Sequence, residues 1–525
     1  MMKTTITLFF GWLSIVLLMV SCNKNLQVGQ DPYAGGQGSL GIGFLGNFPT
    51  PERARPGELV EFTVRGLTLH RANLEFFIND TPVELVSVQD SLVVIRVPEE
   101  ISSGNAKVVV NNQVFYGPRL QIEGDASFDT NYGMVNGFNG PVNDFIDHLG
   151  GYIVVGNFSN FENQANNTST FIQGIHFIDA NGRTSSRMTF GKGGFGINSI
   201  ARSSSGSFLL GGALSTFNGR PVQGMARIWP SGELDTMIVE VINTTENPLN
   251  SYDTVSAFNA GVRGSIVRVF GAADNKVVAV GNFDHHLHVD YSYSSRDNRH
   301  TIPTVARSIV RMHPDGRLDS TFLYNHSGAN GVIADASQMP DGKIVIVGSF
   351  TSFNGRPAPG MVRLNTDGTI DETFAVGSAA SRIQRISYNP VRRKFVVVGN
   401  FSSFNGVAAK GIVLLSENGT QDETFHFGEI EAARPLYGQL LNNGKMILHG
   451  TFERYNGVSR ANLLLLEPDG SLVQRYNSFS PFTGTLQKVL EATSSTGRPA
   501  LLLGGNISNF DAHRVGNFFR MEIRD

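Results

Sequence analysis

The chain has 525 residues, a formal net charge of −3, 41% hydrophobic residues and one cysteine. This length allows more than one domain, and a single cysteine excludes a fold held together by internal disulfide bonds. The chain has no strongly basic stretch, so nucleic acid is not an expected partner.

The N-terminus predicts an export signal. A lysine is followed by a hydrophobic run from Ile6 to Val20, which is too short and wrongly flanked for a stable membrane span. Leu18-Met-Val-Ser-Cys22 resembles a bacterial lipobox, and this resemblance implies a signal peptide at 1–21 and a lipid on Cys22. No other cofactor is expected. The expected location is the outer membrane, with the cell-surface face favoured and the periplasmic face left open.

Residues 22–47 are expected to be the lipidated cysteine and a flexible tether, because positions 29–46 contain seven glycines. Residues 48–123 then alternate in the period of a β-strand, with Val60, Phe62 and Val64 on one face. Further strands are predicted at 74–78, 83–88, 92–97 and 107–110. The segment therefore predicts a small antiparallel sandwich of immunoglobulin type. Pro56-Gly57, Val94-Ile-Arg-Val-Pro98 and Gly104-Asn-Ala-Lys-Val-Val-Val110 resemble an IPT/TIG domain.

A repeated unit occupies the rest of the chain and is clearest at residues 341–374. It combines a β-branched strand, a Phe-Asn-Gly turn, a second strand and an Asp-Gly turn. Its copies place a glycine at positions 156, 212, 281, 348, 399, 450 and 505. This spacing predicts a seven-bladed β-propeller over 124–525, and an open β-solenoid is the alternative.

The repeat at Lys343-Ile-Val-Ile-Val-Gly-Ser-Phe350, with Met361-Val-Arg-Leu364, resembles the bacterial propeller repeat called delta-60. Together with the signal and the sandwich, it resembles outer-membrane lipoproteins of Bacteroidetes that are associated with SusC/SusD-like TonB-dependent importers. The resemblance implies an accessory subunit that captures or admits peptide or glycan cargo. The alternatives are a free-standing glycan-binding protein, a structural adhesin and a glycan-active propeller enzyme.

An enzyme is the weakest of these alternatives, because the chain lacks the common motifs of metalloproteases, serine hydrolases and phosphate-binding loops. Its acids are concentrated in the repeated Asp-Gly turns, where a structural role explains them. Sugars often stack on exposed tryptophan rings, and Trp229 is the only tryptophan after the signal segment, so the sequence offers little for glycan recognition.

Two copies of the repeat contain insertions, at 161–168 and from Asp284 to His300. Long loops on a regular scaffold often carry function. On a strand, His286, His288 and Asp290 share one face with the spacing of ligands for zinc or another transition metal. The alternative is a polar, solvated loop.

A short strand precedes each copy and carries a polar residue between apolar ones. These positions are Asp144, Ser199, Arg268, Ala334, Arg385, Gln439 and Lys488. If this strand is innermost, Arg268, Arg385, Lys488 and Asp144 line a central tunnel with an excess of cations that suits an anionic ligand. The alternative is a water-filled tunnel whose charges pair across blades.

The outer strands predict how the ring closes. Arginine and aspartate recur together as Arg227 with Asp235, Arg311 with Asp319 and Arg363 with Asp371, and Leu414 with Asp422 is the exception. The pattern predicts a repeated, bidentate and partly buried ion pair. The last copy has Arg520 but no tail, whereas Asp125-Ala-Ser-Phe128 precedes the first copy. The N-terminal strand is therefore expected to complete the last blade and to pair Asp125 with Arg520.

Overall fold

The computed structural model describes residues 40–164, 172–323, 326–374, 382–431, 433–473, 482–511 and 513–523. The predicted signal peptide and Cys22 lie outside the described residues. The regular structure of the described segments is almost all β-strand, which confirms the predicted fold class, with short 3-10 helices at Thr68–Asn73, Pro248–Ser251, Ala273–Asn275 and Tyr291–Tyr293. Within these segments, no helix has the length and apolarity needed to cross a membrane.

The N-terminal domain is a two-sheet sandwich, as predicted. One sheet has five strands, in the order Arg53–Ala54, Gln113–Ile122, Gly104–Val110, Leu74–Ile78 and Thr81–Pro82. The other has three, Leu59–Phe62, Val93–Arg96 and Glu84–Val88, and Gly43–Phe44 pairs separately with Val64–Arg65. Val60, Phe62 and Val64 are buried between the sheets, while Leu59 and Glu61 are exposed. The period-two alternation thus gives one face to the core and one to solvent.

The sandwich begins before the predicted boundary at residue 48. Ile42 is buried in its core, and the Phe44 ring lies 6.3 Å from the ring of Phe62 and 6.1 Å from that of Phe76. Residues 40–47 therefore belong to the sandwich rather than to the tether. Their glycine-rich composition concealed an apolar residue at every second position, Leu40, Ile42 and Phe44.

The second domain is a ring of sheets. Its described residues form seven sheets of three or more strands, called blades 1 to 7, and each has an inner, a middle and an outer strand; its other sheets are two-stranded hairpins. The inner strands are Val142–His148, Ile197–Arg202, Gly261–Gly271, Val332–Gln338, Ile383–Asn389, Pro435–Leu440 and Thr483–Thr493. The middle strands are Gly151–Gly156, Phe208–Gly212, Val277–Asp290, Ile344–Ser349, Lys394–Gly399, Met446–Gly450 and Pro499–Phe510. The outer strands are Ile175–Asp179, Met225–Ile228, Ile309–Met312, Met361–Leu364, Ile412–Ser416, Leu463–Leu466 and Phe518–Ile523.

The inner strands of consecutive blades contact one another, and the first contacts the seventh, so the ring is closed. The middle strands are buried on both faces, which explains their uninterrupted apolar sequences. In blade 4, Val345 and Val347 pack toward blade 5, whereas Ile344 and Ile346 pack toward blade 3. Each middle strand therefore contributes to the two cores that separate its blade from its neighbours.

The Phe-Asn-Gly turns form two-residue hairpins, as predicted. Asn354 and Gly355 have φ angles of 51° and 75°, and both residue types adopt this left-handed region at low cost. The short strands of these hairpins are Thr216–Phe217 with Arg220–Pro221, Ser352–Phe353 with Arg356–Pro357, Ser403–Phe404 with Val407–Ala408, and Arg454–Tyr455 with Val458–Ser459. In blade 7, His513–Arg514 pairs with the end of the middle strand.

The N-terminal strand completes the last blade, as predicted, but the acid in the closing ion pair is different. Ala126–Phe128 pairs antiparallel with the outer strand of blade 7, placing Phe128 opposite Met521. The next residue, Asp129, then faces Arg520, and its Oδ2 atom lies 2.6 Å from Arg520 Nε. The predicted pairing of Asp125 with Arg520 is therefore wrong. Asp129-Thr-Asn-Tyr132 is the tail motif, and tyrosine in place of phenylalanine concealed it.

The repeated arginine–aspartate pair is present in blades 2, 3 and 4, with shortest nitrogen–oxygen distances of 2.6 to 2.8 Å. It is not bidentate, because the arginine contacts one carboxylate oxygen only. In blade 4, Arg363 Nε contacts Asp371 Oδ2, while Oδ1 accepts hydrogen bonds from the amide and hydroxyl of Thr373. The second oxygen thus stabilises the turn, which explains the threonine in the Asp-x-Thr-Phe motif.

The sandwich rests on blade 6 through a buried arginine. Arg460 is 1% exposed, and its Nη1 donates to the carbonyl of Ile101 at 3.2 Å and to the hydroxyl of Ser102 at 2.7 Å. At the edge of this contact, Arg454 Nη2 lies 3.6 Å from Asp80 Oδ2. These contacts hold the two domains together in the described structure.

Candidate functional site

The first candidate site is the centre of the ring. In each blade, the pairing of the inner strand shifts by one residue, and the residue after the shift lies at an equivalent position in all seven blades. These residues, called the central ring, are Asp144, Ser199, Arg268, Asp335, Arg385, Tyr437 and Lys488. Arg268 of blade 3 reaches within 4.0 Å of Asp144 of blade 1, so their side chains converge across the blade between them.

Two of the seven predicted tunnel positions were wrong. Asp335 takes the place predicted for Ala334, and Tyr437 takes the place predicted for Gln439. The Tyr437 hydroxyl donates to Gln439 Oε1 at 2.6 Å, so the glutamine supports the ring residue. The inner-strand bulge sets which residue faces the centre, and the prediction differs from it by one residue in blade 4 and by two in blade 6.

The charges of the central ring pair across blades, which is the alternative expected from the sequence. Arg268 Nε lies 2.7 Å from Asp335 Oδ1, and Lys488 Nζ lies 3.0 Å from Asp144 Oδ1. Arg385 Nη1 lies farther away, 3.9 Å from Asp335 Oδ2. Burial opposes the charged form of Arg268, but Asp335 and Asp144 outweigh it and raise the pKa of this guanidinium.

Both acids also accept backbone hydrogen bonds. Asp335 accepts from the amides of Ala336 and Ile386 at 3.0 and 3.3 Å, and Asp144 accepts from the amides of Phe145 and Ile200 at 2.9 and 3.2 Å. Each carboxylate therefore joins its own blade to the next one. The second acid, Asp335, reduces the predicted excess of positive charge to three cations against two anions. These ion pairs and backbone hydrogen bonds connect the blades to one another at the centre of the ring.

The predicted metal site is not formed. His286, His288 and Asp290 lie on one strand, but Nε2 of His286 and Nδ1 of His288 face the carbonyls of Gly316 and Asn259 at 3.0 and 2.8 Å. Burial lowers the pKa of His286 to about 4. Among the described residues, no three His, Cys, Asp or Glu side chains are grouped to hold a metal ion. The strand was predicted correctly, but the ligand role was wrong: a backbone carbonyl of another segment engages one ring nitrogen of each histidine, and no third ligand joins them among the described residues.

The second candidate site is an insertion at blade 3. The middle strand of this blade continues to Asp290 and pairs with His300–Val305, so the predicted loop is largely a hairpin. A further hairpin, Thr236–Glu240 with Tyr252–Ser256, precedes the blade. The two hairpins, at 236–256 and 284–305, are called the third-blade insertion. The sequence suggested only the second, and the long step from Gly212 to Gly281 was the one signal for the first.

The two hairpins pack against each other. The amide of Ile242 donates to the carbonyl of Ser294 at 2.8 Å, and Arg296 Nε donates to the carbonyl of Tyr252 at 2.9 Å. Arg299 and Asp253 form an ion pair between the hairpins. The insertion is therefore an ordered unit carried by the propeller.

Large apolar side chains are exposed on this unit. Leu249 and Tyr293 are 72% and 70% exposed, and Ile238, Ile242, Tyr252 and Ile302 are exposed as well. Four of them are called the apolar patch: Ile242, Leu249, Tyr252 and Tyr293. Tyr293 lies in the 293–296 segment, and the backbones of the other three hydrogen-bond to Ser294 or Arg296 of that segment. Aromatic and apolar residues beside arginine are the composition of interface centres. Trp229 is exposed too, in blade 2.

Two family models match parts of the chain. Residues 18–118 match a domain of unknown function, DUF5008. Residues 340–374, 393–425 and 441–472 match a β-propeller domain of unknown function, DUF5122. These matches cover the sandwich and blades 4 to 6 respectively, in agreement with the fold. A comparison with curated protein sequences gives no match.

Several solved structures are weakly similar to this chain. An auxiliary nutrient binding protein from Bacteroides thetaiotaomicron is 10% identical and covers 91% of this chain and 97% of its own, with a TM-score of 0.32. Another from Bacteroides ovatus is 10% identical and covers 68% and 95%, with a TM-score of 0.19. A structure of YCF48 bound to D1 peptide is 12% identical and covers 76% and 94%, with a TM-score of 0.37. At TM-scores this low, the likeness carries no argument about what the chain binds.

Proposed function

We propose that this protein is a non-enzymatic, lipid-anchored protein of the outer-membrane surface. It acts as an accessory subunit of a SusC/SusD-like importer and helps to capture or admit peptide or glycan cargo. The anchor is Cys22, and the propeller is the rigid support that presents the binding surface. This role combines the resemblance in the sequence with the surface chemistry of the third-blade insertion.

The observation that carries the proposal is the apolar patch on that insertion. Leu249 and Tyr293 expose apolar surface to water, which is unfavourable and does nothing for the stability of the propeller. Exposed apolar patches on folded proteins mark sites of interaction with a partner. Burying a side chain of this size stabilises a complex by about 1.5–3 kcal/mol. The patch is therefore assigned to the importer, because a fixed, apolar protein surface is the partner that such residues fit.

The non-enzymatic assignment is supported by the way the buried acids are used. Asp144 and Asp335 are held by cations and backbone amides at the ring centre. Asp319 and Asp371 are held in turns by arginine, lysine and threonine. A glycosidase needs a carboxylate free to protonate or attack a substrate, and these four have structural partners instead.

The test is affinity purification from solubilised outer membranes. Co-purification of a SusC/SusD-like pair in equal amounts supports the proposal, and its absence overturns it. Leu249→Glu combined with Tyr293→Glu should abolish co-purification. The matched control is Val391→Glu with Val407→Glu, two exposed positions outside the insertion, which should retain it.

The anchor and the cell-surface location have separate tests. Labelled palmitate should be incorporated into the protein and lost in Cys22→Ala. Protease added to intact cells should degrade the protein, and protection of the protein until the outer membrane is opened would instead place it on the periplasmic face.

A further inference from the structure

A cavity of ≈ 250 Å³ lies between the third-blade insertion and the turn hairpin of blade 2. Residues 219–223 line one side, and residues of the insertion line the other. Three arginines, Arg220, Arg296 and Arg299, belong to this lining, and the carboxylate that it contains among the described residues is Asp253. The lining therefore has a formal charge excess of two.

Two of the arginines are held by neutral groups. Arg220 Nη1 donates to the carbonyl of Thr254. Arg296 Nε and Nη2 donate to the carbonyls of Tyr252 and Leu249, each at 2.9 Å. These contacts fix the positions of the guanidinium groups, but a carbonyl dipole does not neutralise a full positive charge.

The third arginine is paired. Arg299 Nη2 contacts Asp253, its Nη1 donates to the carbonyl of Ser295 at 2.9 Å, and its guanidinium lies 5.6 Å from the centre of the Tyr291 ring. The negative charge of Asp253 is therefore neutralised by Arg299. The positive charges of Arg220 and Arg296 remain available to a ligand in the cavity.

We propose that this cavity binds the carboxylate group of a small organic ligand. In the described contacts Arg220 uses only Nη1, so its guanidinium keeps parallel N–H donors that match the two oxygens of a carboxylate. Arg296, whose Nε and Nη2 are engaged by carbonyls, contributes its positive charge. The volume is below the ~300 Å³ at which pockets for drug-sized ligands begin, so it suits one sugar ring or the end of a peptide rather than an extended chain. The inference rests on the proposed function for the source of the ligand, which is then the acidic group of the cargo.

The test is isothermal titration calorimetry with the purified full-length protein and two matched pairs of probes. Glucuronate is compared with glucose, and alanyl-alanine is compared with its C-terminal amide. The carboxylate member of at least one pair should bind ten times or more tightly than its neutral member. The pair that shows this difference identifies a sugar or a peptide as the source of the carboxylate.

Substitutions locate the binding. Arg296→Gln and Arg220→Gln should each weaken binding of the carboxylate probe tenfold or more. Arg317→Gln should leave the affinity unchanged, because Arg317 is an exposed arginine outside the cavity that pairs with Asp315. Melting temperatures verify that each variant is folded. Arg296 is itself exposed, so its variant serves if Arg220→Gln fails to fold.

Three results would overturn the inference: no binding of either carboxylate at millimolar concentration, equal binding of charged and neutral probes, or unchanged affinity in a folded Arg296→Gln variant. The measurement contains no importer, so it separates this inference from the proposed function. Carboxylate binding without co-purification of a SusC/SusD-like pair would retain the site and refute the importer role.

Discussion

Arg520 and Asp129 form a buried ion pair that joins the two ends of the propeller. Their side chains are 2% and 0% exposed, and the pair bridges 391 positions of sequence. Arg520 Nη1 also donates to the carbonyl of Ala180 at 2.8 Å. One side chain therefore connects blade 7, the N-terminal segment and blade 1, and the ring is closed at the point where the chain enters it.

Removing Asp129 should destabilise the protein strongly. Asp129→Ala leaves the Arg520 charge buried without its carboxylate, and breaking one member of such a pair costs about 3–5 kcal/mol. Urea denaturation measures this loss as a lower midpoint of unfolding. Asp125→Ala, at the acid first predicted from the sequence, is the matched control and should cost less, because it leaves Asp129 beside Arg520.

A double-mutant cycle isolates the interaction itself. Asp129→Ala with Arg520→Met should give a coupling energy of about 0.5–3 kcal/mol, the range of residues in direct contact. The cycle of Asp125→Ala with Arg520→Met should give a value near zero. Equal coupling in the two cycles would contradict the register of the closing strand.

Repetition is the reason that much of the fold could be predicted. Each copy serves as an alignment of the others, so the turns, the middle strands and the pairing of Arg363 with Asp371 are visible without a structure. The first blade showed the limit of this approach. Asp125-Ala-Ser-Phe128 matches the tail motif better than Asp129-Thr-Asn-Tyr132 does. However, the antiparallel strand places Phe128 opposite Met521, so Asp129 is the acid that reaches Arg520.

The candidate sites were predicted less well, because they depend on features without a local signal. The bulge of each inner strand decides whether Ala334 or Asp335 reaches the centre of the ring, and nothing near residue 334 in the sequence reveals it. His286 and His288 have metal-ligand spacing, yet the carbonyls of Gly316 and Asn259 occupy them. Those contacts join segments about 30 residues apart, beyond the range of a motif.

Blade 5 explains the exception to the arginine–aspartate rule and gives a second prediction. Leu414 replaces the arginine there, and Lys394 Nζ pairs with Asp422 instead. In blade 4, Lys343 contacts Asp371 at 2.7 Å in addition to Arg363. Lys394→Met therefore removes the ion-pair partner of Asp422 found in the described residues, whereas Lys343→Met leaves an arginine in place.

Lys394→Met should reduce the free energy of unfolding by about 1–2 kcal/mol. This value is low for a hydrogen bond between charged groups, because the lysine is partly exposed and water screens the interaction. Lys343→Met should cost less than half of this amount. The comparison is made by urea denaturation of the two variants under identical conditions. A larger loss for Lys343→Met would refute this account of blade 5.

The central ring gives a third prediction. Arg268→Met leaves Asp335 and Asp144 with less compensating charge in a buried setting, so the loss should be about 3–5 kcal/mol. Arg385→Met should cost less, because its nitrogen lies 3.9 Å from Asp335 and its side chain is more exposed than that of Arg268. Thermal unfolding of both variants tests which one loses more stability. A larger loss for Arg385→Met would show that Arg268 is not the main cation that connects the blades.

Buried histidines make stability depend on pH, which is the fourth prediction. Burial lowers the pKa to about 4 for four histidines: His176, His286, His326 and His449. The unfolded chain has a histidine pKa of about 6.5, so it binds protons first as the pH falls. The free energy of unfolding should therefore be independent of these histidines above pH 6.5 and should decrease as the pH falls from 6.5 to 4. Below pH 4 these four groups should cause no further decrease.

The variant His449→Gln tests this account. His449 is 1% exposed and its Nδ1 faces the carbonyl of Asn462 at 2.7 Å, a contact that a glutamine amide can also make. Each proton taken up only by the unfolded state contributes a slope of about 1.4 kcal/mol per pH unit. Between pH 6 and 5, His449→Gln should reduce the slope of unfolding free energy against pH by up to this amount. His426→Gln, at an exposed histidine, is the control. An unchanged slope in His449→Gln would mean that His449 is not kept neutral by burial.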